Sequence, residues 1–587
     1  MNRFADLAQY FQARVSALMT KNENQIFMVL TLVIGATVGL VIVGFIVITD
    51  SLEQILYKEG SDSWRLLLTP ILATLIAGVL IFRFFPEARG SGVPQTKATM
   101  FAVRAFKPMR SAMGKFIVSS LTLASGITLG REGPSVQIGG GLAVAIGRFF
   151  GFTGKRIQML VPVGAAAALA AAFNTPIAAV LFALEEIAGN LHAPILGSIV
   201  ISAATSWLVL RMLLGDEPLF AVPDYEIVHP TEFLIYALLG IIGGFVSVLF
   251  VKGMLYLREH FLKMPRKTLW LQPAVGGLLV GVLAVALPGI FHFGYRTVGE
   301  ALNGELPLIQ MAVLVLLSVC ATSVCYASGN AGGIFGPSLF IGAMVGGTVG
   351  SLANTFFPDY TATSGAYALV GMGTTFAGIL RVPMVSVIMI FEITQNYTII
   401  VPLMISNLIS FFVSLRLQRK PIYEALALQE GIHLPTSEST KRHLQVRVAM
   451  RPPHETFTPD MTIQTCLDRA GHSSWRAWPV IGKDGLWGIV SLQELEIAHE
   501  QSGGDVRVSN LLDSQVFPHL HTDHSLDLAL ERMGKTGYDL LPVVSRTNVH
   551  DIEGVCSIVD VLRAFGVHGE SRFDSEKSSV GSGGTSS

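Results

Sequence analysis

The chain has 587 residues, of which 51% are hydrophobic and only 14% are charged, with a formal net charge of -1. That balance excludes an ordinary soluble protein and fits a polytopic membrane protein. The near-zero total hides an almost uncharged apolar body and a normally charged C-terminal part, and neither carries a basic-aromatic pattern for nucleic acid.

The first stretch, residues 1–24, is charged and amphipathic (Phe4, Leu7, Tyr10, Phe11, Val15, Leu18) and lacks the apolar core and cleavage site of a signal peptide. It predicts a cytoplasmic or interfacial helix of its own. Ile26–Thr49 has no charge and is long enough to span, and Leu66–Phe85 predicts a second span. Gly90-Ser-Gly-Val-Pro94 follows as a sharp turn with a hydroxyl at its tip. Lys97, Arg104, Lys107, Arg110 and Lys115 then read as a cytoplasmic loop by the positive-inside tendency.

Phe116–Gly130 is apolar, after which Arg131-Glu132 interrupts a run that is again uncharged to Gly147. Ile157–Leu184 is uncharged and Ala-rich, which suits close helix packing, and it ends in Glu185-Glu186. Phe233–Phe250 and Leu271–Leu287 open a second half, and Leu306–Pro358 is free of charge but broken by Gly and Pro. Arg416, Arg419 and Lys420 close the body just before Pro421-Ile-Tyr423. Cys320, Cys325, Cys466 and Cys556 show no metal-ligand spacing with His, so no disulfide framework or metal site is expected.

The body is internally duplicated. Gly130-Arg-Glu-Gly-Pro-Ser-Val-Gln-Ile-Gly139 and Gly333-Ile-Phe-Gly-Pro-Ser-Leu-Phe-Ile-Gly342 share one pattern at an offset of 203. Val163-Gly164, Pro176, Val180 and Glu185 recur as Val370-Gly371, Pro383, Val387 and Glu392 at an offset of 207. Such repeats decide an architecture more firmly than local propensity. Pro just inside a helix start and Gly before it predict a helix N-terminus in each copy of the motif. Free N–H groups and the positive dipole end make such a terminus an anion site, and two of them suggest a transporter of broken helices. The expected division is 25–436 for the body (repeats about 25–215 and 231–430). A soluble α/β pair is expected at 437–505 and 506–570, and a disordered Ser/Gly-rich tail at 571–587. Val446–His499 and Val506–Gly569 each read as a short strand, a helix, a strand pair and a closing helix.

Gly90-Ser-Gly-Val-Pro94, Gly130-Arg-Glu-Gly-Pro134, Gly333-Ile-Phe-Gly-Pro337 and Tyr423, in this order, resemble the CLC family of chloride channels and chloride/proton antiporters over about residues 25–430. The C-terminal pair resembles tandem CBS domains. The resemblance implies an all-α polytopic membrane protein of the inverted-repeat CLC fold with a small α/β CBS pair, assembled as a homodimer. Compact loops without an organelle address make a bacterial-type inner membrane, with both termini cytoplasmic, the expectation. The resemblance also implies that Ser91 and Tyr423 donate hydroxyls to a central anion, and that the N–H groups of Ile334 and Phe335 complete that site. The N–H groups around Arg131–Gly133 would form an outer site, with Glu132 as gate and Glu186 as internal proton relay. Gln95 departs from the Glu that many relatives carry after the first Pro. Through the CBS resemblance, Ser491 and Glu494, and Ser557 and Asp560, become candidate contacts to an adenine nucleotide, against a purely structural dimerisation role.

Other readings stay beside these. Ser91 also suits a helix cap and Tyr423 an interfacial anchor. Glu185 and Glu186 suit the polar end of a span, Glu392 a structural role, and Arg131 a charge partner. An ionisable group deep in a membrane segment is functional by default, which favours Glu132 as a gate. A passive voltage- or pH-gated chloride channel of the same fold is the alternative to exchange. Retained Glu186 favours the exchanger, and retained Ser91 and Tyr423 argue against fluoride- or nitrate-selective relatives. The body carries no acidic path for divalent cations, no H-E-x-x-H and no nucleophile paired with a base, so neither a cation transporter nor an enzyme is expected.

Overall fold

The computed structural model describes residues 2–57 (side chains from 25), 63–101, 107–189, 195–215, 220, 223, 225, 227–287, 294–395, 397–430, 444–473, 475–483, 485–512 and 517–565. Arg104 of the basic run and the expected tail 571–587 lie outside these residues. The chain forms two compact units, Met1–Leu434 and Pro435–Ser587.

The first unit is helical. Its elements are α1 (Asn2–Leu56), α2 (Ser63–Arg83), α3 (Val93–Phe101), α4 (Pro108–Ala124), α5 (Glu132–Phe149), α6 (Gly154–Phe173), α7 (Pro176–Phe182) and α8 (Leu196–Leu214). The second half runs through α9 (Glu232–Lys263), α10 (Gln272–Ala286), α11 (Tyr295–Leu302), α12 (Leu308–Ala327) and α13 (Phe335–Phe356). It closes with α14 (Ser364–Leu380), α15 (Pro383–Thr394), α16 (Ile400–Leu417) and α17 (Ile422–Gln429). Among the described residues, 8 helical segments are long and apolar enough to cross a membrane. The expected separate N-terminal helix is instead the start of α1, which continues unbroken into the first span. No Gly or Pro separates the amphipathic stretch from the span, so nothing stops the helix there.

The duplication is visible in the backbone. α5 and α13 both begin two residues after the first Gly of their motif, at Glu132 and Phe335. α6 is capped by Asn174 and α14 by Arg381, both left-handed with φ of 61° and 62°, and a Pro-initiated helix follows each two residues later. The long uncharged run Ile157–Leu184 is thus a broken helix and not one span. The α5–α6 and α13–α14 pairs pack through equivalent glycines. A Cβ at Gly139 or Gly164 would strike the other's carbonyl, and the same holds for Gly342 and Gly371. Small residues let these backbones touch inside the membrane.

The expected cytoplasmic loop through Lys115 is corrected by α4. Lys115 is fully buried there, and its ammonium donates to the carbonyls of Ala88 (2.9 Å) and Gly90 (2.5 Å). Its helical stripe, Ser111, Lys115, Val118 and Thr122, is buried throughout. The 3.6-residue spacing of that stripe marks a buried helix face, which outweighs the tendency of basic residues to lie in cytoplasmic loops.

The second unit holds two antiparallel hairpins, β1 (Ala477–Gly482) with β2 (Gly485–Ser491) and β3 (Leu540–Val544) with β4 (Ile552–Ser557). Helices Ile463–Ala470 and Leu492–Ser502 pack on the first, and Leu526–Thr536 and Ile558–Ala564 on the second. Val446–Ala449 is a helical turn and not the expected opening strand; that role falls to single bridges at Phe457 and Leu520. The two cores also interleave in sequence. Val446 belongs to the core of Leu526 and Leu541, whereas Val508 joins that of Ile463 and Trp478.

Candidate functional site

Three glycine turns meet inside the first unit. Gly130 and Gly333, the opening residues of the two motif copies, exchange both backbone hydrogen bonds (2.8 and 2.7 Å). Gly90 pairs with the segment Asn330–Gly332 beside them, donating to Asn330 and accepting from Gly332 (3.2 Å each). Gly90 and Gly92 have φ of 79° and 104°, a conformation a side chain would strain, and they turn Ser91 toward the junction. The turn is held from several sides. The Lys115 ammonium takes the Gly90 carbonyl, Ser91 N–H donates to the Tyr326 hydroxyl (3.3 Å), and Gly92 N–H donates to Gln95 Oε1 (2.9 Å).

Ser91 and Tyr423, from opposite ends of the body, are neighbours at this junction. Both hydroxyls are buried beside each other, and neither has a further hydrogen-bond partner among the described residues. Gly133 lies against Ser91 and the second motif copy, since a Cβ there would sit 2.7 Å from Ser91 Oγ and 3.0 Å from Gly333 Cα. Ile334 and Phe335 form the cap and first residue of α13, where backbone N–H groups have no acceptor within the helix. The Phe335 ring points away into Phe173, Phe182 and Phe376 (centroids 4.7, 5.7 and 4.4 Å). Aromatic packing therefore fixes this residue and leaves its N–H to the junction.

Glu132 is fully buried. Its carboxylate crosses to the other copy of the motif: Oε2 accepts from Gly336 N–H (3.3 Å) in the first turn of α13. Oε1 accepts from the Tyr295 hydroxyl (2.6 Å). The seat expected from its own helix end is thus supplied in part by the second copy. A carboxylate there is favoured by the dipole of α13 and competes for the place an anion would take. Arg131 lies over the Tyr295 ring (5.1 Å) and, with Asp50, Glu53 and Arg296, lines a cavity of about 310 Å³ that reaches Gly130, Tyr295 and Gly336.

Glu186 is buried in the π-helical segment Ala183–Ala188 that extends α7, and Lys97 of α3 pairs with it at 3.0 Å. Such segments recur at functional sites because they re-aim a side chain. Glu185 and Glu392 form a reciprocal pair instead. Glu392 accepts from Ile177 N–H (2.9 Å) and Ala178 N–H (2.7 Å) at the start of α7. Glu185 faces the Val385 N–H at the start of α15. Gln95 Nε2 donates to both oxygens of Glu430 (3.1 and 3.0 Å), which Arg258 also pairs (2.6 Å). A Glu at position 95 would set two carboxylates together, so the amide suits this neighbour. Tyr295, Tyr326 and Lys115 were not expected at the site. Only Lys115 carried a periodic signal; the tyrosines arrive by long-range packing.

In the second unit the four candidate nucleotide residues close two capping boxes. Ser491 Oγ accepts from Glu494 N–H (3.2 Å) while Glu494 accepts from Ser491 N–H (2.7 Å); Ser557 and Asp560 do the same (3.2 and 3.0 Å). Tyr538 donates to Glu494 (2.7 Å), and Arg451 pairs with Asp560 (3.1 Å).

A duplicated bundle of broken membrane helices, with two helix ends and two buried hydroxyls facing one junction, defines a multi-pass anion transporter of the CLC fold. The comparisons agree. The voltage gated chloride channel family matches residues 73–415, and the CBS domain family matches residues 445–497. The chain belongs to the voltage gated chloride channel family. A protein of Yersinia pestis named H(+)/Cl(-) exchange transporter ClcA is 31% identical over 416 residues, covering 68% of this chain and 87% of that protein. One of the same name from Vibrio campbellii is 32% identical over 369 residues, covering 61% and 79%. A slow cyanobacterial Cl-/H+ antiporter of known structure superposes with a TM-score of 0.63 at 26% identity, covering 69% of this chain and 97% of that one. A eukaryotic CLC transporter gives a TM-score of 0.61 at 20% identity over 91% and 97%, a likeness of fold alone.

Proposed function

We propose that the protein exchanges chloride for protons across a membrane, with Glu132 as the group that both ions address. The observation that carries the reading is the Glu132 carboxylate, buried in one copy of the motif and seated on the α13 N-terminus of the other. Chloride binds at the junction through the Ser91 and Tyr423 hydroxyls and the N–H groups of Ile334 and Phe335, with Gly133 leaving room beside them. These neutral donors hold an anion firmly enough to enter and weakly enough to leave. Protonation of Glu132 removes its claim on the helix end, and chloride replaces it. A chloride nearby in turn favours the protonated carboxyl, because like charges disfavour ionisation. Glu186 carries protons from the cytoplasmic side, and Lys97 holds it ready.

The reading places the protein in the bacterial-type inner membrane as a lipid-embedded homodimer with both termini cytoplasmic. It extends to an adenine nucleotide on the CBS region, met by Ser491 and Glu494 and by Ser557 and Asp560. The capping boxes fix each hydroxyl and carboxylate at a helix start, where a purely structural cap uses them in the same way.

The test uses purified protein in liposomes with a chloride gradient and an internal pH dye. Chloride flow should drive protons uphill. Glu132→Gln should abolish proton movement and make chloride flux insensitive to pH; Glu186→Gln should stop protons while chloride still passes. Chloride flux without proton movement in the unmodified protein would make it a passive channel.

A further inference from the structure

Tyr295 is a residue to which nothing above gives a task, yet it makes the shortest contact to the gating carboxylate. It opens α11, and its ring is fixed between Phe220 (centroids 5.8 Å) and the Arg131 guanidinium (5.1 Å). Its hydroxyl donates to Glu132 Oε1 at 2.6 Å, while Oε2 takes the Gly336 N–H at 3.3 Å. The short bond is therefore the one to the side chain, and the backbone bond is the long one. A hydroxyl can donate to an ionised carboxylate oxygen, and hydrogen bonds to charged groups are the strong class.

We propose that Tyr295 is a positioning residue: a hydroxyl latch that holds the ionised Glu132 carboxylate on the α13 N-terminus and so sets the proton concentration at which the site opens to chloride. This rests on the chloride/proton reading above. Once Glu132 is protonated its charge no longer rewards the latch, and the side chain is free to leave. Among the described residues, the other charged or titratable groups around this point are Arg131 beside it on the motif, Asp50 and Glu53 on α1, Arg296 on α11 and Tyr423 on α17. Arg296 is turned outward and paired with Glu300 (3.2 Å). Arg131 packs on the Tyr295 ring, a contact that Phe would preserve.

The experiment measures chloride flux and coupled proton movement in liposomes across pH for the unmodified protein, Tyr295→Phe, Glu132→Gln and the double variant. Without the hydroxyl the carboxylate is held on the α13 N-terminus only by the long Gly336 N–H bond (3.3 Å), so the site opens at lower proton concentration. Tyr295→Phe should move the half-maximal pH of chloride flux upward by about one unit. In the Glu132→Gln background the same change should have no effect on the pH profile, since the cycle isolates the pair. Tyr295→Trp, which keeps a ring but misplaces the donor, should follow Phe in direction. An unchanged profile in Tyr295→Phe, or an equal shift in the Glu132→Gln background, overturns the latch while leaving the exchange reading intact. Absence of exchange in the unmodified protein overturns both.

Discussion

The membrane body and the C-terminal unit are each built from two copies of one device, and in each the copies keep the backbone and change the side chains. In the body, Gly130–Gly139 and Gly333–Gly342 start equivalent helices and exchange hydrogen bonds at their first glycines. At the first helical residue one copy has Glu132 and the other Phe335. One side chain reaches the partner copy's helix end, and the other anchors its own helix in an aromatic cluster. In the C-terminal unit the copies are offset by 63, from Phe457 to Leu520 and from the helix cap Thr462 to the cap Ser525. There the second copy has His519, His521 and His524 where the first has Thr456, Thr458 and Met461. Duplication supplies geometry, and divergence at single positions supplies chemistry.

If geometry is what the copies share, damage to it should be equal in both. Gly139→Ala and Gly342→Ala each force a methyl into a facing carbonyl, of Gly164 and Gly371. Because backbone cannot yield as a side-chain tip does, each should cost about 3 kcal/mol and sharply lower the thermal stability and yield of detergent-solubilised protein. A large loss in one variant and none in the other would show that the two halves do not bear equal packing constraints.

A middle-sized effect separates the reciprocal glutamates. Glu392 accepts two N–H bonds at the start of α7, whereas Glu185 faces one at the start of α15. Glu392→Gln should cost about 1–2 kcal/mol, as expected for a lost helix cap with a charged acceptor, and Glu185→Gln less. Thermal unfolding in one detergent checks the order. The reverse order would mean that Glu185 has a task beyond capping.

These cases also show what could be read from the chain. The two offsets foretell equivalent helix starts and Glu392 is expected to be structural, whereas the break before Pro176 falls inside the uncharged run Ile157–Leu184, which reads as one stretch. The crossing of Glu132 to Gly336 was not legible, because a repeat gives equivalence within each half and not which half a side chain will address. Tyr295 is reached from 163 residues away in sequence, with no local pattern to announce it. Lys115 was misplaced because a buried cation and a loop cation look alike until the helical stripe is drawn. In the C-terminal unit the interleaving of Val446 and Val508 escaped a linear division for the same reason: apolar residues announce burial but not which core receives them.

The smallest effect concerns the histidines, and it tests whether divergence in the C-terminal unit carries chemistry as it does in the body. The rings of His519 and His521 lie 5.1 Å apart, and those of His521 and His524 lie 4.8 Å apart. Burial holds His519 below its ordinary value near 6.5, and the nearby His521 and Arg532 push the same way. Burial also lowers His524, helped by Arg532, His521 and Arg546 and opposed by Asp523. With folded values below the unfolded one, the unfolded chain takes up protons first as pH falls through about 6.5. Stability of the second copy is therefore unaffected above that pH and declines below it. Hydrogen exchange on the full chain, expressed as protection factors, should show helix Leu526–Thr536 keeping its protection from about pH 7.5 to 6.5 and losing it toward about pH 5.5, while Ile463–Ala470 loses none. Restoring the first copy's residues with H519T, H521T and H524M should remove the difference. Parallel loss in both copies would mean that acid acts through groups the copies share, and that these histidines are only packing.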